Sequence, residues 1–386
     1  MSKNTIIVIG PMNIPLSLRK GAVEEIIWQT SIRLRKYFNI CVFNPSASSS
    51  FQKIINSLAL MLKKDILKSN HVILHSHSAY VSLGISMFQV NNKHILHVLT
   101  LHTLPWLWMK KLFNRRLLTF NSSPHIRGYF KFLHRKKVFI IAPSLAIFRW
   151  LRTIGYTKVV YIPNGVDTKL FNPLRKSENV RKLLKAEDKV LITYVARVMP
   201  IKNQLALIKA VKELINEYNN LKVLFIGPYA STYKENGEKS KQYYRLLQQY
   251  IEKHGLRNVI EFLGNIPREY VAKILASSDI YVHPSLVEAA PLSILEAMAS
   301  GLPIIAFRMP FYKGYLVHGV NCILVKPNDI RGLSSSILTL IHDKKLRIKI
   351  SQKALKLAQE KFSWDIIVQK YRKVYLELFT ENSNLL

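Results

Sequence analysis

The chain has 386 residues, with 57 Lys+Arg against 23 Asp+Glu and a formal net charge of +34. Its 49% hydrophobic content excludes a disordered basic tail, and its length predicts two domains with full cores. Residues 1–170 carry only four acids (Glu24, Glu25, Asp65, Asp167), and none occurs from Ile66 to Val166, so that stretch supplies no carboxylate cage, dyad or base. Carboxylate chemistry therefore has to come mostly from the second half. Cys41 and Cys322, far apart in apolar runs, predict two thiols in a reducing compartment rather than a disulfide framework. The early run Ile6–Ile9 is too short for a signal-peptide core. Residues 69–92 are interrupted by His71, His75, Ser76, His77, Ser78 and Asn91, which predicts strand plus helix, not a membrane span.

Short β-branched runs alternate with longer amphipathic ones, the pattern of β-α-β units and a parallel sheet. Strands are predicted at 5–10, 39–43, 71–75, 95–100, 138–142 and 158–162, with helices between them, for example at 21–37 and 52–68. The rhythm then restarts, with strands at 190–196, 221–226, 258–262, 279–282, 303–306 and 321–325. Helices are predicted at 203–218, 240–254, 267–277, 291–300, 329–342, 345–361 and 364–379. The restart implies an α/β chain of two doubly wound domains, 1–172 and 173–362, parted near Asn172-Pro173. Such sheets bind ligands at the carboxyl ends of their strands, which places the site in a cleft between the domains.

The segment 104–137 breaks this rhythm. Trp106, Trp108, Phe113, Phe120, Tyr129, Phe130 and Phe132 interleave with Lys110, Lys111, Arg115, Arg116, Arg127, Lys131, Arg135, Lys136 and Lys137. A basic amphipathic helix with aromatics on its other face suits an anionic membrane surface. An ordinary surface helix with its aromatics packed inward is the alternative.

Several chemistries lack their motifs. G-x-G-x-x-G, the P-loop pattern, D-x-D and H-E-x-x-H are all absent from the sequence. A bound diphosphate would thus be held by cationic side chains and backbone N–H groups. The strongest constellation runs from Pro284 to Gly301. A strand leads into a loop holding Glu288, and Pro291 opens a helix holding Glu296. Two carboxylates with seven residues between them can reach different parts of one ligand, while N–H groups near Leu292 and Ser293 can face an anion. On spacing alone, Glu296 could equally be a solvated helix residue and Glu288 a helix-dipole partner.

This stretch resembles the E-x7-E region of the retaining GT-B glycosyltransferases of group 1 (GT4-like). Ile162-Pro163-Asn164-Gly165-Val166-Asp167 through Phe171 is similar to that family's "IPNGVD..F" junction, and Ala196-Arg197-Val198-Met199-Pro200-Ile201-Lys202-Asn203 to its "GRL.p.KG" element. Phe262-Leu263-Gly264-Asn265-Ile266-Pro267, Ala276 through Ser285, and Lys20-Gly21-Ala22-Val23-Glu24 continue the likeness, with Lys20 where the family has a first Gly. The match spans about residues 5–375 and is weak across 44–95 and 104–137.

The resemblance implies a GT-B fold of two Rossmann-like domains, with residues 363–386 packing back on the first. It implies a retaining, metal-independent transfer of a hexose from a nucleotide-diphosphate sugar, UDP- or GDP-linked, with no other cofactor. Arg197 and Lys202 would hold the diphosphate, and Gly21 would let its loop approach it. Glu288 would bind donor-sugar hydroxyls and Glu296 the ribose. Backbone groups from Ala290 through Pro291 and Leu292 to Ser293 would meet phosphate and sugar, and Asn265 and Ile266 would lie beside the base. His102 would face the donor sugar. Asn164 and Asp167 read as turn and hinge residues. The acceptor would be a lipid-linked or other glycan, and the protein cytoplasmic, peripheral on the inner membrane face through 104–137. A catalytically silent sugar or membrane binder stays open, as does a GT-B enzyme of another reaction such as an epimerase. Specific nucleic-acid binding finds no supporting motif.

Overall fold

The structure, a computed structural model, describes residues 4–10, 21–43, 71–88, 94–102, 124–229 and 234–383. The helix predicted at 52–68, Lys20, and 104–123 of the basic segment lie outside the described residues. The chain forms two compact units, 1–164 with 364–386, and 165–363.

The first unit holds strands β1 (Thr5–Ile9), β2 (Asn39–Phe43), β3 (Val72–Ser76), β4 (Ile95–Thr100), β5 (Phe139–Ala142) and β6 (Val159–Tyr161). Its helices are α1 (Ala22–Leu34), α2 (Ala79–Phe88), α3 (Pro124–Arg135) and α4 (Leu145–Thr153). The strands pair in parallel in the order β2-β1-β3-β4-β5-β6. Ile6, Ile7, Ile9, Val72, Ile73, Val98, Leu99, Ile140 and Ile141 are fully buried, as a parallel sheet covered on both faces requires. α4 lies between two predicted strands, and its signals are local. Ser144 accepts from the Ile147 N–H as its cap, and Ile147, Trp150 and Leu151 form its buried stripe.

The second unit adds α5 (Glu178–Leu183), β7 (Val190–Val195), α6 (Gln204–Leu214), β8 (Leu221–Ile226), α7 (Lys234–Lys253), β9 (Ile260–Gly264) and α8 (Arg268–Ser277). It continues with β10 (Ile280–His283), α9 (Leu292–Ala299), β11 (Ile304–Phe307), β12 (Ile323–Val325), α10 (Ile330–His342) and α11 (Lys344–Phe362). The sheet order is β12-β11-β10-β7-β8-β9, all parallel. Asp329 and Asp343 cap α10 and α11 by accepting from the Gly332 and Leu346 N–H groups.

The last helix, α12 (Trp364–Ser383), belongs to the first unit. Its Tyr375 hydroxyl lies 2.6 Å from His75 Nδ1, and Phe38 packs edge-on to Tyr375. Residues 165–172, placed by the sequence with the first domain, cluster with the second unit. The Val166 N–H donates to the Phe362 carbonyl at 2.7 Å, and Phe171 sits fully buried beneath the Arg268 guanidinium. Asp167 is a turn residue, accepting from the Lys169 and Leu170 N–H groups at 3.1 Å.

Over its described part, the basic segment takes the inward-packed form. In α3, Ile126, Phe130 and Leu133 are buried, and Phe130 stacks edge-on against Trp150 and Tyr156. The Tyr129 hydroxyl donates to the Ala79 carbonyl. These aromatics build the core of the unit and are not offered to a membrane. Arg127, Lys131, Arg135, Lys136 and Lys137 are exposed. No helix among the described residues is long and apolar enough to cross a membrane.

Candidate functional site

The strand order of the second unit reverses between β7 and β10, the switch point beside which open parallel sheets bind ligands at their carboxyl ends. The loops leaving those two strands, 196–203 and 284–291, carry Arg197, Lys202 and Glu288. They are tied together. The Leu286 N–H donates to the Ile201 carbonyl at 2.9 Å, Ser285 Oγ donates to the same oxygen, and the Tyr194 hydroxyl donates to the Lys202 carbonyl at 2.7 Å. Gln204 Nε2 holds the Arg197 carbonyl at 2.8 Å. Asn203, just after the one-turn helix Pro200–Lys202, adopts φ +54°, a left-handed conformation that asparagine tolerates better than most residues. Gly227, at φ +141°, has no Cβ because the backbone of Ala196 and Arg197 occupies that space.

Within this frame, Lys202 Nζ donates to Glu288 Oε1 at 2.6 Å, and His283 Nε2 lies 3.1 Å from the same oxygen. Burial opposes the carboxylate charge. The Lys202 ammonium and the His283 hydrogen bond outweigh it and hold the Glu288 pKa down at about 2. Burial in turn lowers His283, against the pull of Glu288. Lys202 carries three donor hydrogens, so it can keep Glu288 and still meet an anion. Arg197 is exposed on the same loop.

Glu296 is buried on α9, so the solvated-helix alternative does not hold. Arg268 Nη2 donates to its Oε1 at 2.6 Å, and the guanidinium stands 5.1 Å from the centroid of the Phe171 ring. Pro291 occupies the N-cap of α9, leaving the N–H groups of Leu292 and Ser293 in the first turn. Ala290 and Ser293 are half-buried, and Pro291 and Leu292 buried. Asn265 is exposed and Ile266 half-buried on the loop after β9, beyond β8 from the Lys202 loop.

In the first unit, Gly21 is the N-cap of α1, and the space of its missing Cβ is filled by the Glu24 carboxylate. His102 follows β4 and pairs with His77, whose Nδ1 lies 2.8 Å from His102 Nε2 with the rings stacked. Burial lowers the His102 pKa to about 3, so the ring is neutral near pH 7. His75 joins the group, 2.7 Å from the Thr100 hydroxyl.

Sequence reasoning gave no role to His283, Tyr281, Arg268 or His77. Their signal is weak, because His283, Arg268 and His77 become partners through contacts with other loops or helices, and Tyr281 only through His283.

A family model described as Glycosyl transferases group 1 matches residues 175–357, and one described as Glycosyltransferase Family 4 matches residues 30–170. The chain belongs to the group 1 glycosyltransferases. It is 31% identical over 250 residues to the sulfoquinovosyl transferase SQD2 of Arabidopsis thaliana, across 63% of this chain and 45% of that protein. It is 26% identical over 356 residues to an uncharacterised glycosyltransferase of Methanocaldococcus jannaschii, covering 92% of this chain and 90% of that one. The chain thus spans under half of the plant relative and nine-tenths of the archaeal one. Its fold matches Anabaena HepE, solved with UDP and glucose, at a TM-score of 0.75 and 18% identity, over 97% of this chain and 99% of that one. This group 1 glycosyltransferase therefore has the GT-B fold of two Rossmann-like domains.

Proposed function

We propose that the protein is a retaining hexosyltransferase that uses a nucleotide-diphosphate sugar and needs no metal. The carrying observation is the Lys202–Glu288 pair of 2.6 Å at the switch point of the second sheet. Lys202, with Arg197, supplies the positive charge a departing diphosphate needs as its bond to the sugar C1 breaks. The acceptor hydroxyl bonds to C1 on the same face, and its proton passes to the leaving phosphate. Glu288 binds donor-sugar hydroxyls, and Glu296, braced by Arg268, binds the ribose. Asn265 and Ile266 flank the base. His102 is neutral and does not serve as the base. The HepE complex with UDP and glucose supports a UDP-linked donor for this chain.

The acceptor is a lipid-linked or other glycan, approached from the cytoplasmic face of a membrane that the basic first unit contacts by charge. Arg127, Lys131 and Arg135 on the exposed face of α3 support that contact. The experiment is transfer from labelled UDP- and GDP-sugars to host membranes, with and without chelator. Glu288→Ala should abolish transfer while the fold persists. Near-normal rates in that variant would refute the reading, and loss of transfer on chelation would refute metal independence.

A further inference from the structure

Beneath the Lys202–Glu288 pair lie two groups whose protonation the pair dictates. A carboxylate beside an ammonium is ionised and can only accept hydrogen bonds. The His283 nitrogen 3.1 Å from Glu288 Oε1 is Nε2, so Nε2 carries the proton. The ring is fully buried, with Tyr194 edge-on at 5.2 Å and Tyr312 edge-on at 6.2 Å, surroundings that favour neutral imidazole. A neutral ring protonated at Nε2 has a bare Nδ1. The group facing Nδ1 is the Tyr281 hydroxyl at 3.2 Å, which must then donate to it. The hydroxyl also neighbours the Val195 carbonyl, farther away at 3.4 Å, and the Ser293 side chain, whose hydroxyl can donate to it. Tyr281 and His283 are two apart on β10, so both side chains leave the same face of the strand.

We propose that Tyr281 and His283 are positioning residues for Glu288, through a buried chain from Tyr281 Oη–H to His283 Nδ1 and from His283 Nε2–H to Glu288 Oε1. Both donors to Glu288 meet one oxygen. Lys202 is a long side chain on a loop and neutralises charge without fixing the rotation of the carboxylate. His283 is set by a central strand and locked to one tautomer by Tyr281, so it fixes that rotation. Oε2 is then the oxygen presented to hydroxyls of the donor sugar. This last step rests on the proposed role of Glu288, whereas the tautomer assignment does not.

The test is ¹⁵N NMR of the full chain labelled at histidine, with the His283 signals identified by their loss in His283→Gln. At neutral pH without ligand, Nε2 should show a protonated-type shift and Nδ1 an unprotonated one. Protonation at Nδ1, or at both nitrogens, overturns the proposal. Tyr281→Phe should broaden or move the Nδ1 signal, and an unchanged spectrum overturns the Tyr281 half. With UDP-glucose and GDP-mannose as donor probes, His283→Leu should lose about 10- to 100-fold in kcat/KM, as when an orienting hydrogen bond is removed. His283→Gln, which keeps a donor near the Nε2 position, should recover most of it. Equal losses in the two variants would mean a merely structural role. If the wild type turns over no donor, the transferase reading fails, and the ¹⁵N spectrum still decides the hydrogen-bond chain.

Discussion

The two units solve the same problem, polar groups inside a buried parallel sheet, in opposite ways. From residue 71 to 164 the first unit has no carboxylate, and the buried polar groups of that stretch are chiefly histidines and hydroxyls, the buried Glu24 and Glu25 lying on α1 outside it. His97 sits among the hydroxyls of Ser76, Ser82 and Ser86 at 3.2–3.3 Å, and His75 between Thr100 and Tyr375. The second unit uses ion pairs, Arg181–Asp279 at 3.2 Å, Lys222–Glu261 at 2.8 Å, Lys202–Glu288 and Arg268–Glu296. Unpaired buried charge is costly, so a stretch without acids keeps its histidines uncharged, whereas acids nearby let cations stay charged. The difference leaves the second unit with paired charges and residues 71–164 of the first with neutral hydrogen bonding.

The sharpest way to break that division is Glu288→Gln, which keeps the shape and removes the charge facing Lys202. Transfer should fall by about 100-fold or more, with hydrogen exchange of the first unit unchanged. Near-normal turnover would show that the charge pair is structural.

Acid should separate the units next. Burial lowers His97 and His102 to about 3, and with like-charged neighbours does the same to His75, against 6.5 when unfolded. The unfolded chain therefore binds more protons, and the stability these rings contribute is lost as pH falls from about 6.5 towards 3. At ~1.4 kcal/mol per unit, each shift amounts to several kcal/mol. Glu288 has the same sign in a lower window, losing its contribution between 4.5 and about 2. His283 is lowered too, so the second unit shares one such ring. Hydrogen exchange followed from pH 7 to 4 should show strands β3 and β4 opening before β7 and β10. Simultaneous opening would remove the distinction.

A smaller effect is expected from Tyr375→Phe. It takes the hydroxyl from His75 Nδ1 and should cost about 1–3 kcal/mol, read as a lower Tm with nucleotide affinity unchanged. Smallest for stability is Arg127→Ser with Lys131→Ser and Arg135→Ser. These exposed cations should alter folding by no more than about 0.5 kcal/mol. Flotation with anionic vesicles should nevertheless drop, and wild type that never floats would end the membrane proposal.

Much of this was legible in the sequence because it is local. Hydrophobic runs such as 95–100 and 221–226 coincide with β4 and β8, since strands covered on both faces are mostly apolar. Glu288 and Glu296 stood out through spacing, and Lys202 through the resemblance of its segment to a family motif. The partners did not. Arg268 reads as one more cation in a +34 chain, and His283 as the residue before a proline. Gly21 reads as a loop glycine, and that its bare Cα makes room for the Glu24 carboxylate is seen only in the structure.

The sequence by itself determined two parallel α/β units, an acid-free stretch in the first and the carboxylates and cations of the second, because periodicity and composition act within a few residues of one another. Only the tertiary structure decided that Lys202 meets Glu288 and Arg268 meets Glu296. It also decided that the aromatics of α3 turn inward and that Tyr281 and His283 stand beneath the site. Those outcomes depend on which strands become neighbours, and pairing between residues tens of positions apart is written in no local pattern.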